Sequence, residues 1–229
     1  RGVAAGRLGT TRGVLASLWS ARGIERDWLF TSNSGFQYAS IGGDELLPCE
    51  PQGAVDAACA AAFVEQVGLQ AWRRPLTPPE TDRLVAIAEQ AATALGGFDD
   101  GLIYALAALL QSPHFLFRVE LGEGGAYTDF ELASRLSFFL WNRGPDAELL
   151  RAAGNGELTT DDGLRLQARR LLDDPRAREG TRAFFDDMLQ LEGLTDLSKD
   201  PVVFEHMSED FGPAAREQTL LDVEALVFD

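Results

Sequence analysis

The residues of this sequence that could do chemistry are two cysteines, two histidines and several carboxylates lying near arginines. Cys49 and Cys59 are separated by nine residues, with no CxxC spacing and no histidine close by in sequence. Structural zinc sites gather four ligands, usually paired at short spacing, so metal binding is disfavoured here. A disulfide between the two cysteines would pin the incoming loop onto the helix that follows. Closing so short a loop contributes about 2–3 kcal/mol in the chain-entropy picture. The alternative is a pair of buried free thiols. Disulfides persist in oxidising compartments, so the bridged reading implies the periplasm or the cell exterior.

His114 follows a proline in the aromatic segment His114-Phe115-Leu116-Phe117. An imidazole there could ligate a cofactor or carry a proton. The competing reading, and the favoured one, is a buried ring bonded to a backbone carbonyl, because no second histidine or cysteine is spaced with it. His206 sits in an acidic stretch and reads as a surface residue. Arg73, Arg74, Arg118 and Arg135 stand beside apolar stretches, with Glu80, Glu120 and Glu131 as available partners. Structural ion pairs explain them better than an anion site does. The carboxylate pairs Asp99-Asp100, Asp161-Asp162 and Asp186-Asp187 invite an acid–base reading. The first two pairs begin helices, where acids offset the dipole, and adjacent residues on a helix point about 100° apart. Asp196–Asp210 lacks the regular spacing of a calcium loop. The sequence has no Gly-rich phosphate loop, no GxSxG, no HExxH and no CxxCH.

The elements that must position these groups are helical. Gly97–Leu121 is the organising stretch: an acidic first turn, then the uncharged run from Leu102 to Leu110. Such a run suits a helix buried on most of its circumference. Ser112-Pro113 should interrupt the pattern with a kink, since a residue before proline is pushed out of the α region. Before it, Asp56 caps a helix with Cys59, Phe63, Val67 and Trp72 on its apolar side, ending at Arg73-Arg74-Pro75. Thr77-Pro78-Pro79-Glu80 starts the next, with Leu84, Val85, Ile87, Ala88 and Leu95 buried and Gly96-Gly97 as the stop. After the turn Gly122–Gly125, Thr128 to Glu131 forms a capping box for a helix to Trp141, with Leu132, Leu136, Phe139 and Leu140 on one face. Further helix starts fall at Asp146, Thr160, Pro175 and Pro213. Residues 13–21 could form one more short helix in an otherwise loop-rich start, with an extended piece around residues 36–41. The fold class is all-α: an orthogonal bundle of about eight helices without alternating strand patterns. It divides into a loop-rich segment 1–48, a first helical lobe 49–121 and a second lobe 126–229, the two lobes packed together.

Composition bounds the function. The chain has 229 residues, 36 acids against 20 bases and a net charge of −16. Phosphate neutralisation needs clustered cations, so nucleic acid is excluded as a partner. No apolar window of about 18 residues exists to span a membrane. Lys199 is the single lysine among the bases. The acidity reads as a solvated surface, with a docking face for a basic partner as the sharper alternative. The chain lacks a start methionine and ends within an amphipathic pattern, so it looks like a piece of a longer polypeptide.

Several strings taken together carry a resemblance: Ala71-Trp72-Arg73-Arg74-Pro75-Leu76-Thr77, Ser112-Pro113-His114-Phe115-Leu116-Phe117-Arg118-Val119-Glu120, and Glu131-Leu132-Ala133-Ser134-Arg135-Leu136-Ser137-Phe138-Phe139-Leu140-Trp141. Pro145-Asp146 and Leu171-Leu172-Asp173-Asp174-Pro175 complete the set. From about Cys49 onward the chain resembles the planctomycete-type cytochrome-associated proteins, which carry domain of unknown function 1592 with its flanking domain 1595. The resemblance implies a multidomain exported protein in which a CxxCH segment elsewhere in the polypeptide holds haem c. It gives no catalytic residues to carry over. The reading it supports is a helical scaffold for electron transfer or redox chemistry located outside these residues, with His114, Phe115 and Trp141 as candidates to pack the haem. Its partners would be other domains of the polypeptide or assembly subunits, including a basic or cytochrome partner. The rival expectations are an exported enzyme acting on a polymer through acidic residues, and a purely structural subunit.

Overall fold

A computed structural model describes residues 47–197, 199, 203, 204, 208 and 210–228. The expectations for residues 13–21, for 36–41 and for His206 lie outside the described residues. Among the described residues there are nine α-helices and one short 3-10 turn, and no strand beyond the isolated bridge between Glu123 and Ala126. The all-α expectation holds. No helix there is long and apolar enough to cross a membrane.

Contacts group the chain into two compact units: one running to Ser134 with Gly144–Thr159, the other made of Arg135–Arg143 with Thr160–Asp229. The first holds α1 (Ala57–Trp72), α2 (Pro78–Leu95), α3 (Phe98–Gln111), the single turn α4 (Pro113–Leu116), the start of α5 (Asp129–Trp141), and α6 (Ala147–Gly154). Cap chemistry sets the helix limits. The Asp56 carboxylate accepts from the backbone N–H of Cys59 at 3.0 Å and starts α1. The Thr77 N–H donates to Glu80 Oε2 at 2.8 Å at the head of α2, and Gly96 ends that helix in the left-handed region at φ 88°. Ser112 takes ψ 143° and stops α3, then its hydroxyl accepts from the His114 N–H to start α4. The expected bend at Pro113 is therefore a full break with a restart.

The core of the first unit is α3 packed by α1 and α2: Phe63, Val64, Val67, Leu84, Leu102, Leu106, Leu109 and Leu110 are all buried. Tyr104, inside the uncharged run, faces out. A Cβ at Gly101 would lie 2.5 Å from the Ala88 carbonyl oxygen and 3.0 Å from Ala92 Cβ, so α3 and α2 approach backbone to backbone. Gly101→Ala is expected to lower stability by about 1–3 kcal/mol through overpacking, in spite of alanine's better helix propensity. Gly68→Ala is the control, because its nearest neighbour is the movable Leu76 Cδ1 rather than backbone. Urea melts giving the two variants equal losses would refute this reading.

The second unit holds the end of α5, then α7 (Asp161–Asp173), α8 (Arg176–Met188), the 3-10 turn Leu191–Leu194 and α9 (Phe211–Phe228). The expected apolar face of α5 is rotated. Phe139 is 78% exposed, while Ser137 and Trp141 are buried. The reason is Gly180 on α8, whose missing side chain lets that helix lie against the Leu140 carbonyl and Trp141 Cα. Close helix contact selects small residues, and the large ones flank it. Ion pairs join α8 to α9: Arg216 holds Asp186 through two bonds, and Arg178 reaches Glu224 at 3.1 Å.

Candidate functional site

Titratable and aromatic groups of the first unit converge where α1 ends. Arg73 is the first residue past α1, at φ 60°, in the left-handed conformation that non-glycine residues rarely adopt. That backbone turn sends its side chain inward, where it is 8% exposed. Its guanidinium donates to the carbonyls of Ala71 at 3.0 Å, His114 at 2.7 Å and Phe117 at 2.9 Å. It thus ties α1 to the end of α4 and satisfies carbonyls that helix ends leave open. The next residue turns outward. Arg74 grips Glu80 with two bonds, at 2.9 and 2.8 Å, and lies 5.3 Å over the Trp72 ring. Bonding to Arg74 and to Thr77 outweighs burial and holds the Glu80 carboxyl down to about 2.

His114 completes the cluster. Its ring packs 4.9 Å from Trp72, with Nε2 3.3 Å from Arg74 Nη2 and 3.8 Å from Glu80 Oε1. A guanidinium can only donate, so Nε2 accepts and the proton of the neutral ring sits on Nδ1. The side chain is 34% exposed, and no backbone carbonyl bonds it among the described residues. The expected core imidazole is therefore replaced by a partly open ring facing a cation. The cause is the preceding Pro113 turn, which points Phe115 into the core, 3% exposed, and leaves its neighbour outside. Burial, then the Arg74 charge, push the His114 pKa below the ordinary imidazole value against the pull of Glu80. A group with a depressed folded-state pKa that is neutral when deprotonated favours the fold above its unfolded value. His114 should thus cost stability as pH falls below about 6.5, and the loss should stop once the folded-state pKa is passed. Urea titrations at pH 7.5 and 5.5 check this. His114→Gln should flatten the difference, and an unchanged pH slope in that variant would assign it elsewhere.

Opposite these residues, the Glu131 carboxylate accepts from the N–H groups of Leu121, Gly122 and Thr128 and from the Thr128 hydroxyl. It is not paired with an arginine, as the sequence suggested, but binds the Gly122–Gly125 turn onto α5. Burial raises its pKa, and the Gly122, Thr128 and Leu121 N–H groups more than offset that, leaving it lowered. Between the two sides runs a cleft of about 270 Å3, whose lining includes Trp72, Arg74, His114, Phe130 and Glu131.

The cleft lies where two matched domains adjoin. Residues 59–120 match the family described as PSD5, a protein of unknown function (DUF1595). Residues 127–229 match the family described as PSD4, a protein of unknown function (DUF1592). This chain carries a DUF1595 domain followed by a DUF1592 domain. No curated protein and no solved structure matches it. The DUF1595 domain supplies Trp72, Arg73, Arg74 and His114 to the cleft, and the DUF1592 domain supplies Thr128, Phe130 and Glu131.

The remaining expected site residues are apart from the cleft. Cys49 and Cys59 are bonded, with Cα atoms 5.7 Å apart, and the bridge fixes the strap before the DUF1595 domain onto α1. Trp141 belongs to the second unit, in the DUF1592 domain, and is 1% exposed. Among the described residues no three His, Cys, Asp or Glu side chains gather as a metal site. The sequence offered Glu80 as an available partner for the arginines, and the structure gives it to Arg74, but nothing local announced the reach of Arg73 to α4.

Proposed function

We propose that these residues are the helical scaffold of an exported c-type-cytochrome-associated protein, and that electron transfer is carried out elsewhere in the same polypeptide. The observation that carries the passive role is the state of the cleft's polar groups. Glu80 and Arg74 hold each other, Glu131 is saturated by backbone donors, and Arg73 serves three carbonyls. Groups so committed position helices and are poor proton carriers or nucleophiles. The disulfide supports the exported setting.

Haem c does not fit these residues. Its thioether links need two free cysteines in CxxCH, and both cysteines of the chain are joined to each other. In this reading a haem c would be held by another part of the polypeptide.

An absorbance spectrum of the natural full-length protein tests the reading. A Soret band is expected, and a haem-free protein purified from its native host would refute the redox role. Export is tested separately by alkylation of the native protein under non-reducing conditions, with no thiol expected to react. Reduction should then cost about 2–3 kcal/mol of stability. Two reactive thiols in the protein as isolated would remove the argument for an oxidising compartment.

A further inference from the structure

The first unit holds a second hollow, larger than the His114 cleft and with a more apolar lining. It lies between the later half of α1 and α6 and measures about 630 Å3, within the size range of small-molecule sites. Leu69, Pro75, Phe130 and Leu150 give it apolar walls. Leu150 is buried, and Phe130 also lines the neighbouring cleft, so the floor belongs to the packed unit rather than to a loose rim.

Its polar lining is one-sided. Arg151, in the last turn of α6, lines it together with Gln66 and Gln70, and no carboxylate lines it among the described residues. That is unusual in a chain with 36 acids and 20 bases. Arg74, Arg143, Arg176, Arg178, Arg182 and Arg216 each have a carboxylate partner. Arg151 makes no ion pair or side-chain hydrogen bond with the described residues. A guanidinium offers a planar fork of donors that matches a carboxylate. A cation would meet Arg151 with no acid to balance it, and a neutral hydrocarbon would leave the fork unused.

We propose that this hollow binds a small apolar monocarboxylate, its hydrocarbon body against Leu69, Phe130 and Leu150 and its carboxylate on Arg151. Gln70 supplies a further donor at the same opening. The site is independent of the scaffold reading, and it gives the chain a ligand of its own.

Titration calorimetry on the full chain tests it with decanoate as the probe, kept below its micelle concentration. Acetate serves as the control without a body and decanol as the control without charge. Saturable one-to-one binding of decanoate is expected, with no heat from acetate at the same concentration. Arg151→Gln should weaken decanoate about ten-fold or more, as the loss of a charge-assisted bond implies, and leave decanol unchanged. Arg151 is exposed, so this variant keeps the fold. Ala147→Trp, at an exposed position on the wall, should fill the hollow and abolish decanoate binding while circular dichroism stays native. Absence of saturable binding to the native chain overturns the proposal. So does equal decanoate affinity in Arg151→Gln, or undiminished binding in a folded Ala147→Trp.

Discussion

Arg73→Ala is expected to cost the first unit about 3–5 kcal/mol. The estimate starts from bonds between a charged donor and backbone carbonyls, worth about 1.5–3 kcal/mol each but not additive when they share one donor. Alanine would strand the carbonyls of His114 and Phe117, 41 and 44 residues away in sequence, at the end of a helix only one turn long. A single turn has almost no cooperative stability of its own, so α4 depends on this anchor. Two companion variants separate the causes. Arg73→Lys keeps the charge but cannot serve several carbonyls from one rigid plane, so it should recover little. Arg73→Gly loses the anchor too, yet relieves the φ of 60°, and should be more stable than Arg73→Ala by about 1 kcal/mol. Urea melts at neutral pH give the order native, then Gly, then Ala. An alanine variant within about 1 kcal/mol of native would mean that α4 is held by its apolar contacts alone.

What the sequence made legible follows the range of the interactions involved. Helix starts were readable because caps are local: Asp56, Asp146 and Thr160 each accept from an N–H three residues on. The interruption at Pro113 was readable for the same reason. The buried side of a helix was less so where small residues decide it. Periodicity weights large side chains, and α5 offered Leu136, Phe139 and Leu140 as its face. The contact with α8 goes instead through Gly180 against the backbone of Leu140 and Trp141, and that pairing is long-range information. Likewise α7 buries Gln167 and Leu171 while Leu166 and Leu172 stay exposed.

The site followed the same rule. Glu80, six residues from Arg74 across a proline turn, could be named as an available partner by inspection. The disulfide could be posed as one of two outcomes, and the structure resolves it as bonded. The role of Arg73 could be half seen: a cation after a helix should meet orphan carbonyls, and it does, though two of the three belong to a different helix. The position of His114 was misjudged because burial of Phe115 was shared out to its neighbour, whereas adjacent positions on a helical turn point different ways. The hollow between α1 and α6 left no trace in the sequence, since its walls come from segments separated by about a third of the chain.

Trp141→Ala should be the most damaging change in the second unit, by about 3–5 kcal/mol, as for other large core truncations. The ring is enclosed by bonds as well as by contacts. Its Nε1–H donates to the Leu171 carbonyl at 2.8 Å, and the Arg176 guanidinium lies 3.6 Å above it. Arg176 is itself fixed by two bonds to Asp174, whose carboxyl that guanidinium draws down to about 2. Truncation would therefore open a cavity, leave the Leu171 carbonyl with only the longer bond from the Asp174 N–H at 3.4 Å, and loosen the start of α8 together. Trp141→Phe keeps most of the volume and should cost about 1–2 kcal/mol for the lost hydrogen bond. Two compact units need not unfold as one, so the readout is amide exchange in α7 and α8 rather than a single melting curve. The same experiment separates a structural ring from a haem-packing one. A structural Trp141 loses exchange protection in this chain alone, without haem. A ring reserved for a cofactor would leave α7 and α8 protected in the alanine variant and shift the absorbance of the full-length protein instead.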